Sequence, residues 1–248
     1  MSEGPPVRPP APGRDRPGDL GGPDQAAEGL LDDLDPARGA LLVVDMQNDF
    51  CHPAGAVGAK GVDLGASLEA LGRLSRFCDE ARDQGMLVVF IRLEADPETV
   101  TDALRLVAAA NGRPAVSVCL PGTWGAQIHE ALPVGPDDLV VTKRLYSAFA
   151  GTGLQEQLAD RGVDHVVVGG TTANVCVQAT AMDAYLRNFS VVVPRDLVGF
   201  INPPAAEAAL ANLAGYYALV CRSPELSAAW RRRSSRGAPV PESPRETT

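Results

Sequence analysis

The sequence has no run of 18 apolar residues, no CxxC pair and no internal repeat. Without the first, no segment reads as a helix able to cross a bilayer. The opening stretch, residues 1–24, has no apolar core either, so it does not read as a signal peptide. The five cysteines, Cys51, Cys78, Cys119, Cys176 and Cys221, are odd in number and widely spaced, which speaks against a disulfide framework or a structural zinc site. The expected setting is a reducing cytosol. Positive charge is in deficit: 22 Lys and Arg face 31 Asp and Glu, for a formal charge of −9. That balance speaks against a nucleic-acid partner or an anionic membrane, and would suit a neutral or cationic small substrate. Histidine occurs three times, scattered at His52, His129 and His165, too dispersed for a histidine-based metal triad.

The chain has enough to build a sizeable core: 248 residues, 45% of them apolar and 21% charged. Residues 1–24 are rich in Pro, Gly, Arg and Asp and are expected to be a disordered tail; residues 231–248 read the same way. The domain is therefore expected over residues 25–230. Within it, apolar runs of strand length alternate with helix-period segments. The runs are Ala40–Asp45, Met86–Arg92, Asp138–Lys143, His165–Gly170, Ser190–Asp196 and Tyr217–Arg222. Leu64, Leu68, Leu71, Leu74, Phe77 and Ala81 recur at spacings of three and four, one face of a helix that Gly85 ends. Further helices are expected over Glu98–Ala110, within Gly122–Leu132, and over Leu154–Gly162, Asn174–Asn188 and Pro204–Ala214. Strands that are apolar throughout, rather than alternating, are buried on both faces. The expected fold is a single doubly wound α/β domain, Rossmann-like, with a mainly six-stranded parallel sheet and helices on both faces. In such sheets ligands bind at the carboxyl ends of the strands.

Three reactive residues sit at strand ends. Asp45 closes the first run in "VVDMQNDF", Lys143 closes the third in "VVTKRLYSAF", and Cys176 follows the fourth in "GGTTANVCVQAT". Singly, each has a plain structural reading: a turn residue, a solvated amine, a small packed hydrophobe. Together at one sheet edge they make a coherent chemistry. A thiolate attacks a carbonyl carbon; a helix N-terminus and a nearby ammonium favour the anion; a carboxylate takes the thiol proton and returns it to a leaving amine; turn N–H groups hold the oxyanion. Cys78 and Cys221 read as core and Cys119 as a loop residue, while Cys51 is a weaker rival with no helix start behind it. Phe50, Trp124, Tyr146 and Phe149 lie beside the motifs as candidate pocket walls, with core packing as their alternative. Asn174 could orient substrate or cap the helix. His52 is a candidate substrate contact.

From about Ala40 to Cys221 the chain resembles the isochorismatase-like cysteine hydrolase superfamily, on "LLVVDMQNDF", "GTWGAQI", "VVTKRLYSAF" and "GGTTANVCVQATAMDAYLRNF". The resemblance implies a catalytic triad of Asp45, Lys143 and Cys176. It also implies a non-proline cis peptide between Thr171 and Thr172, with oxyanion-binding N–H groups at Thr172 and Cys176. It implies a homo-oligomer whose neighbours help close the site. Members that cleave a vinyl ether lack the cysteine. Nicotinamidases carry a metal site of Asp and two His after the second strand; here "IRLEADPETVTDALR" contains no histidine, so no metal and no cofactor are expected. What remains is an amidase of small molecules acting through a thioester. "KRLYSAF" and "TANVCV" look most like ureidoacrylate and biuret amidohydrolases. Streptothricin hydrolases, which open a lactam in a cationic antibiotic, suit the acidic balance, and the lactam reading, with a role in antibiotic resistance, is placed slightly ahead of the linear ureido one. A non-catalytic binding module on the same fold is the alternative of another class.

Overall fold

β1 (Gly39–Val44) is buried at every position. Its alternate side chains serve two different cores. Ala40, Leu42 and Val44 join one apolar cluster, and Leu41 and Val43 join another on the opposite face. This is why the strand reads as a continuous apolar run: neither face meets water. β2 (Leu87–Leu93), β3 (Leu139–Lys143), β4 (His165–Gly170), β5 (Ser190–Pro194) and β6 (Leu219–Cys221) complete a sheet of order β3-β2-β1-β4-β5-β6, with every pairing parallel. The computed structural model describes residues 29–236. The expected tail over 1–24 lies outside the described residues, as does 237–248.

Helices cover both faces. α1 (Gly65–Asp83) packs Leu71, Leu74, Phe77, Cys78 and Ala81 against one face, joined there by Leu226, Ala229 and Trp230 of α6 (Ser223–Arg236). The other face carries α3 (Leu154–Ala159), α4 (Gln178–Leu186) and α5 (Pro203–Tyr216). α2 (Asp102–Ala110) lies at the edge, largely exposed, with Leu106 at 72%. None of the described helices is long and apolar enough to cross a membrane.

The observed elements depart from the expected ones in three places. The domain does not stop at residue 230, because α6 runs on through Arg236. Trp230 is 1% exposed and stacks on Phe77 at 5.3 Å, while Arg232 and Arg233 pair with Asp32 and Asp35, each at 2.7 Å. The basic triplet is thus the solvent side of an amphipathic helix. The segment around "GTWGAQIHEAL" forms only a single 3-10 turn, Trp124–Ala126, rather than a helix. The helix after β4 opens with a π-helical turn, Ala173–Val177, before α4 begins.

The chain steps outward from β1 to β3, then returns to place β4 on the other side of β1. The crevice outside the carboxyl ends of β1 and β4 is therefore the topological switch point, where doubly wound sheets bind their ligands. Val44 is paired with Gly170 across it. Gly170 has φ +118, and a Cβ there would overlap the Val44 carbonyl oxygen, so no other residue fits without moving β1.

Candidate active site

Asp45 is the first residue beyond β1 and has φ +52, a left-handed conformation uncommon for a side chain other than glycine. Such residues cost roughly 1–3 kcal/mol and persist where surroundings over-determine them. Here the Asp45 N–H continues the sheet by donating to the Ile91 carbonyl at 2.8 Å, and the Gln47 N–H returns to the Asp45 carbonyl at 2.8 Å. The left-handed turn ends the strand with its carboxylate fully buried.

Lys143 ends β3, two strands away, opposite Leu93 in register. Its long side chain brings the ammonium back to β1: Nζ lies 2.8 Å from Asp45 Oδ2. The same nitrogen donates to Cys176 Sγ at 3.4 Å and to the Leu145 carbonyl at 3.1 Å. Two of the ammonium's three N–H donors are thus hydrogen-bonded, and the contact with Asp45 is an ion pair. Cys176 is set in the π-helical turn, a local feature frequent at functional sites. The three side chains are 0%, 0% and 6% exposed, so the contact is almost dry.

The electrostatics follow from that dryness. Burial pushes the Asp45 carboxyl above its ordinary value, and the Lys143 charge pulls it only part of the way back. Burial opposes the Lys143 ammonium too, but Asp45 and then Cys176 outweigh it, and its pKa ends above the ordinary value. The Cys176 thiol is pushed up, by burial first and by the Asp45 charge second, with Lys143 opposing. On the Cys176 sulfur, burial and the Asp45 charge thus favour the neutral thiol and the Lys143 ammonium favours the thiolate. The arrangement is an Asp45–Lys143 ion pair with the Cys176 sulfur on the same ammonium.

The peptide between Thr171 and Thr172 is cis. Thr171 donates its N–H to the Val44 carbonyl at 2.9 Å, and its hydroxyl lies 3.4 Å from Ser67 Oγ. Ala173 and Val175 donate to Gly199 and Thr172. The Thr172 N–H donates to nothing among the described residues, which leaves it available to a ligand.

The expected substrate contacts divide. Phe50 is half-buried and packs against the small cluster of Leu93, Cys119 and Ala126 beside the triad. Asn174 is half-buried, and its amide makes no hydrogen bond among the described residues; it does not cap the helix. Phe149 is not at the site's mouth: it is 4% exposed, stacks on Phe189 at 5.8 Å, and carries the Arg187 guanidinium over its ring at 5.3 Å. It is core, because the residues after Lys143 turn inward to pack on the helix face below. Trp124 and Tyr146, by contrast, are 46% and 40% exposed. His52 meets Trp124 edge-on at 4.9 Å and His129 at 6.0 Å; His165 is buried against Asp164. Among the described residues, no three His, Cys, Asp or Glu side chains gather as a metal ion requires.

Cys119, read from sequence as a loop residue without a partner, is fully buried next to this site, and its thiol feels the charges of Asp45 and Lys143. Gln47 is the other residue sequence reasoning missed. Its amide is buried and saturated: Nε2 donates to the Leu93 and Ala126 carbonyls at 2.8 and 2.7 Å, and Oε1 accepts from the Leu93 N–H at 2.8 Å.

Comparison with known proteins bears on the family and the fold. The family described as the isochorismatase domain matches residues 39–225. The ureidoacrylate amidohydrolase RutB of Methylorubrum extorquens is 31% identical over 215 residues, covering 81% of this chain and 86% of the relative. A cysteine hydrolase structure from Pseudomonas syringae pv. phaseolicola shares the fold, with a TM-score of 0.72 at 24% identity over 81% of this chain and 95% of that one. The N-carbamoylsarcosine amidase of Thermoplasma acidophilum gives a TM-score of 0.61 at 28% identity over 75% and 96%.

Proposed function

Because the chain belongs to the isochorismatase family, we propose that it is an amidohydrolase that splits a non-peptide C–N bond through a thioester on Cys176. The observation that carries this reading is the contact of one buried ammonium with both a carboxylate and a thiol. Cys176 Sγ attacks the carbonyl carbon of the amide while its proton passes to Asp45. Lys143 stays beside the sulfur and offsets the negative charge that develops there. The carbonyl oxygen becomes an oxyanion held by backbone N–H groups of the turn, that of Thr172 among them. Asp45 then gives the proton to the departing nitrogen, and the C–N bond breaks to leave the acyl group on sulfur. A water, deprotonated by Asp45, cleaves the thioester and restores the thiol. In this reading the thiol loses its proton as it attacks.

The substrate reading is a linear ureido or carbamoyl amide. Two of the similar proteins are named for such compounds, an ureidoacrylate amidohydrolase and an N-carbamoylsarcosine amidase. Asn174 and Phe50 are the proposed contacts, one for a polar and one for an apolar part of the ligand. The streptothricin-type lactam favoured on charge balance ranks second, supported by the net charge of −9 alone. The exposed Trp124 and Tyr146 beside the site fit the homo-oligomer that the resemblance implies.

A panel of ureido acids, carbamoyl amino acids and lactams, including a streptothricin, read by mass spectrometry, separates these readings. Loss of ammonia or carbamate identifies the linear substrate; gain of water without fragment loss identifies ring opening. Intact-mass trapping of an acyl adduct on the wild-type chain, absent from Cys176→Ala, tests the thioester. Undiminished turnover by Cys176→Ala would overturn the mechanism.

A further inference from the structure

Immediately after Asp45, the chain makes a run of side-chain and backbone ties to residues 119–129, a stretch that forms no regular strand. Asn48 N–H donates to the Gln127 carbonyl at 3.0 Å, and Asn48 Nδ2 to the Trp124 carbonyl at 2.9 Å. The His129 N–H donates to the Met46 carbonyl at 2.9 Å. The most consequential tie is made by Asp49. Its Oδ2 accepts the Cys119 N–H at 2.6 Å, and its Oδ1 accepts the Ala56 N–H at 2.8 Å. Among the described residues no cation pairs with it, and the donors it has are backbone N–H groups.

Two further features show that this corner is built around the carboxylate. Gly125 lies so close that a Cβ there would overlap both Asp49 oxygens, so the position can carry no side chain while Asp49 stays in place. Cys119, whose N–H is the bound donor, has φ +52, a conformation that a non-glycine residue adopts only when its neighbours hold it. From Cys119 the tie passes directly to the site. Its carbonyl accepts the Ala95 N–H at 3.0 Å, and its side chain packs with Leu93 and Ala126. Leu93 is the residue opposite Lys143.

We infer that Asp49 is a positioning residue: it fixes Cys119, and with it residues 118–126, as the wall beside the Asp45–Lys143–Cys176 contact. It touches no reacting atom. The catalytic consequence rests on the amidohydrolase reading above; the structural one does not. Asp49→Asn replaces one acceptor with an NH2 group that faces an N–H donor, and Gly125→Ala pushes an intact carboxylate away from the Cys119 N–H. Both should release the same stretch by different routes.

The first readout is independent of activity. In the full-length chain carrying Cys176→Ala, iodoacetamide labelling is followed residue by residue. Release of the wall predicts Cys119 alkylated about tenfold faster or more in both variants, the order expected for a lost hydrogen bond to a charged group. Cys51, in the same short helix as Asp49 but packed with Cys78 and Cys221 in a core cluster that excludes Cys119, should stay as protected as in the parent, as should those two. Cys119 remaining protected in both variants overturns the inference. So does equal exposure of all four thiols, because Asp49 would then support the fold as a whole. The second readout uses the intact Cys176 and an amide the parent turns over: KM should rise about tenfold with kcat within about threefold. A fall confined to kcat overturns the positioning role. Absence of turnover in the parent would count against the amidohydrolase reading and leave the labelling result standing.

Discussion

Lys143 reaches Asp45 across an intervening strand and ends 2.8 Å from its carboxylate, with both groups excluded from water. Neither could remain charged there without the other. Replacing Lys143 with Met keeps much of the side-chain volume and strands the Asp45 charge in a dry site. Breaking a buried pair from one side costs about 3–5 kcal/mol, so the denaturant midpoint should fall accordingly. Turnover should fall about 10²–10⁴-fold, because the sulfur loses the charge that offsets its own. A variant of parental stability would mean that the pair is not desolvated as the structure has it.

Asp45→Asn gives two readouts of opposite sign. Without a carboxylate to take the thiol proton, turnover should drop about 10²–10⁴-fold. The same substitution removes the negative charge that helps hold the Cys176 thiol up, while burial, the larger cause, remains. At fixed pH a larger fraction of the thiol is then ionised, and iodoacetamide should modify Cys176 faster than in the parent. Slower alkylation together with slower turnover would contradict the electrostatic account, because it would mean that Asp45 activates the resting thiol.

Much of this was legible in the sequence. Continuous apolar runs such as "ALLVVD" and "HVVVGG" report burial on both faces, so they fix strand positions and the parallel sheet; polar residues just past their ends mark the ligand edge. That is how Asp45, Lys143 and Cys176 stand out as candidates without coordinates. The burial that pushes the Cys176 thiol up was not legible, because composition does not show how completely water is excluded. Phe149 looked like a pocket wall because it is near Lys143 in sequence, yet the chain turns between them and buries the ring on Phe189. Cys119 lies far in sequence from all three reactive residues, and tertiary ties, those from Gln47, Asn48 and Asp49 among them, bring its loop to them. The boundary at 230 failed because a basic, serine-rich stretch reads as solvated whether it is a tail or the outer side of a helix.

That boundary supports a stability prediction. Trp230 is buried on Phe77, so Trp230→Ala should cost about 3–5 kcal/mol and lower the thermal midpoint by several degrees. Among the described residues, deleting everything after Trp230 removes the pairs Arg231–Glu80, Arg232–Asp32 and Arg233–Asp35, whose arginines are each 40% or more exposed, and the last six residues of the helix. Pairs of that exposure contribute about 0–1 kcal/mol each, so the truncated chain should lose far less than the tryptophan variant. Calorimetry on the two proteins decides the order; the reverse order would place the helix's anchorage in its arginines.

Alkaline pH should destabilise the fold steeply, and the sign follows from the thiols. Burial pushes Cys51, Cys78 and Cys221 from the ordinary 9.0 to about 12, and pushes Cys119 and Cys176 up as well. A raised folded-state pKa means that the native protein keeps protons the unfolded chain releases. Stability from these groups is fully present below about pH 9 and is lost as pH climbs toward 12. Lys143, also raised, acts in the same direction above its ordinary 10.5. Each thiol contributes a slope of about 1.4 kcal/mol per pH unit in that window, so urea midpoints taken between pH 8 and 11 should fall with a slope of several protons. Replacing Cys78 with Ala should reduce the slope by about one proton while lowering stability at pH 7 through lost packing. A flat profile between pH 9 and 11 would show that the thiols ionise as readily in the native protein as in the unfolded chain.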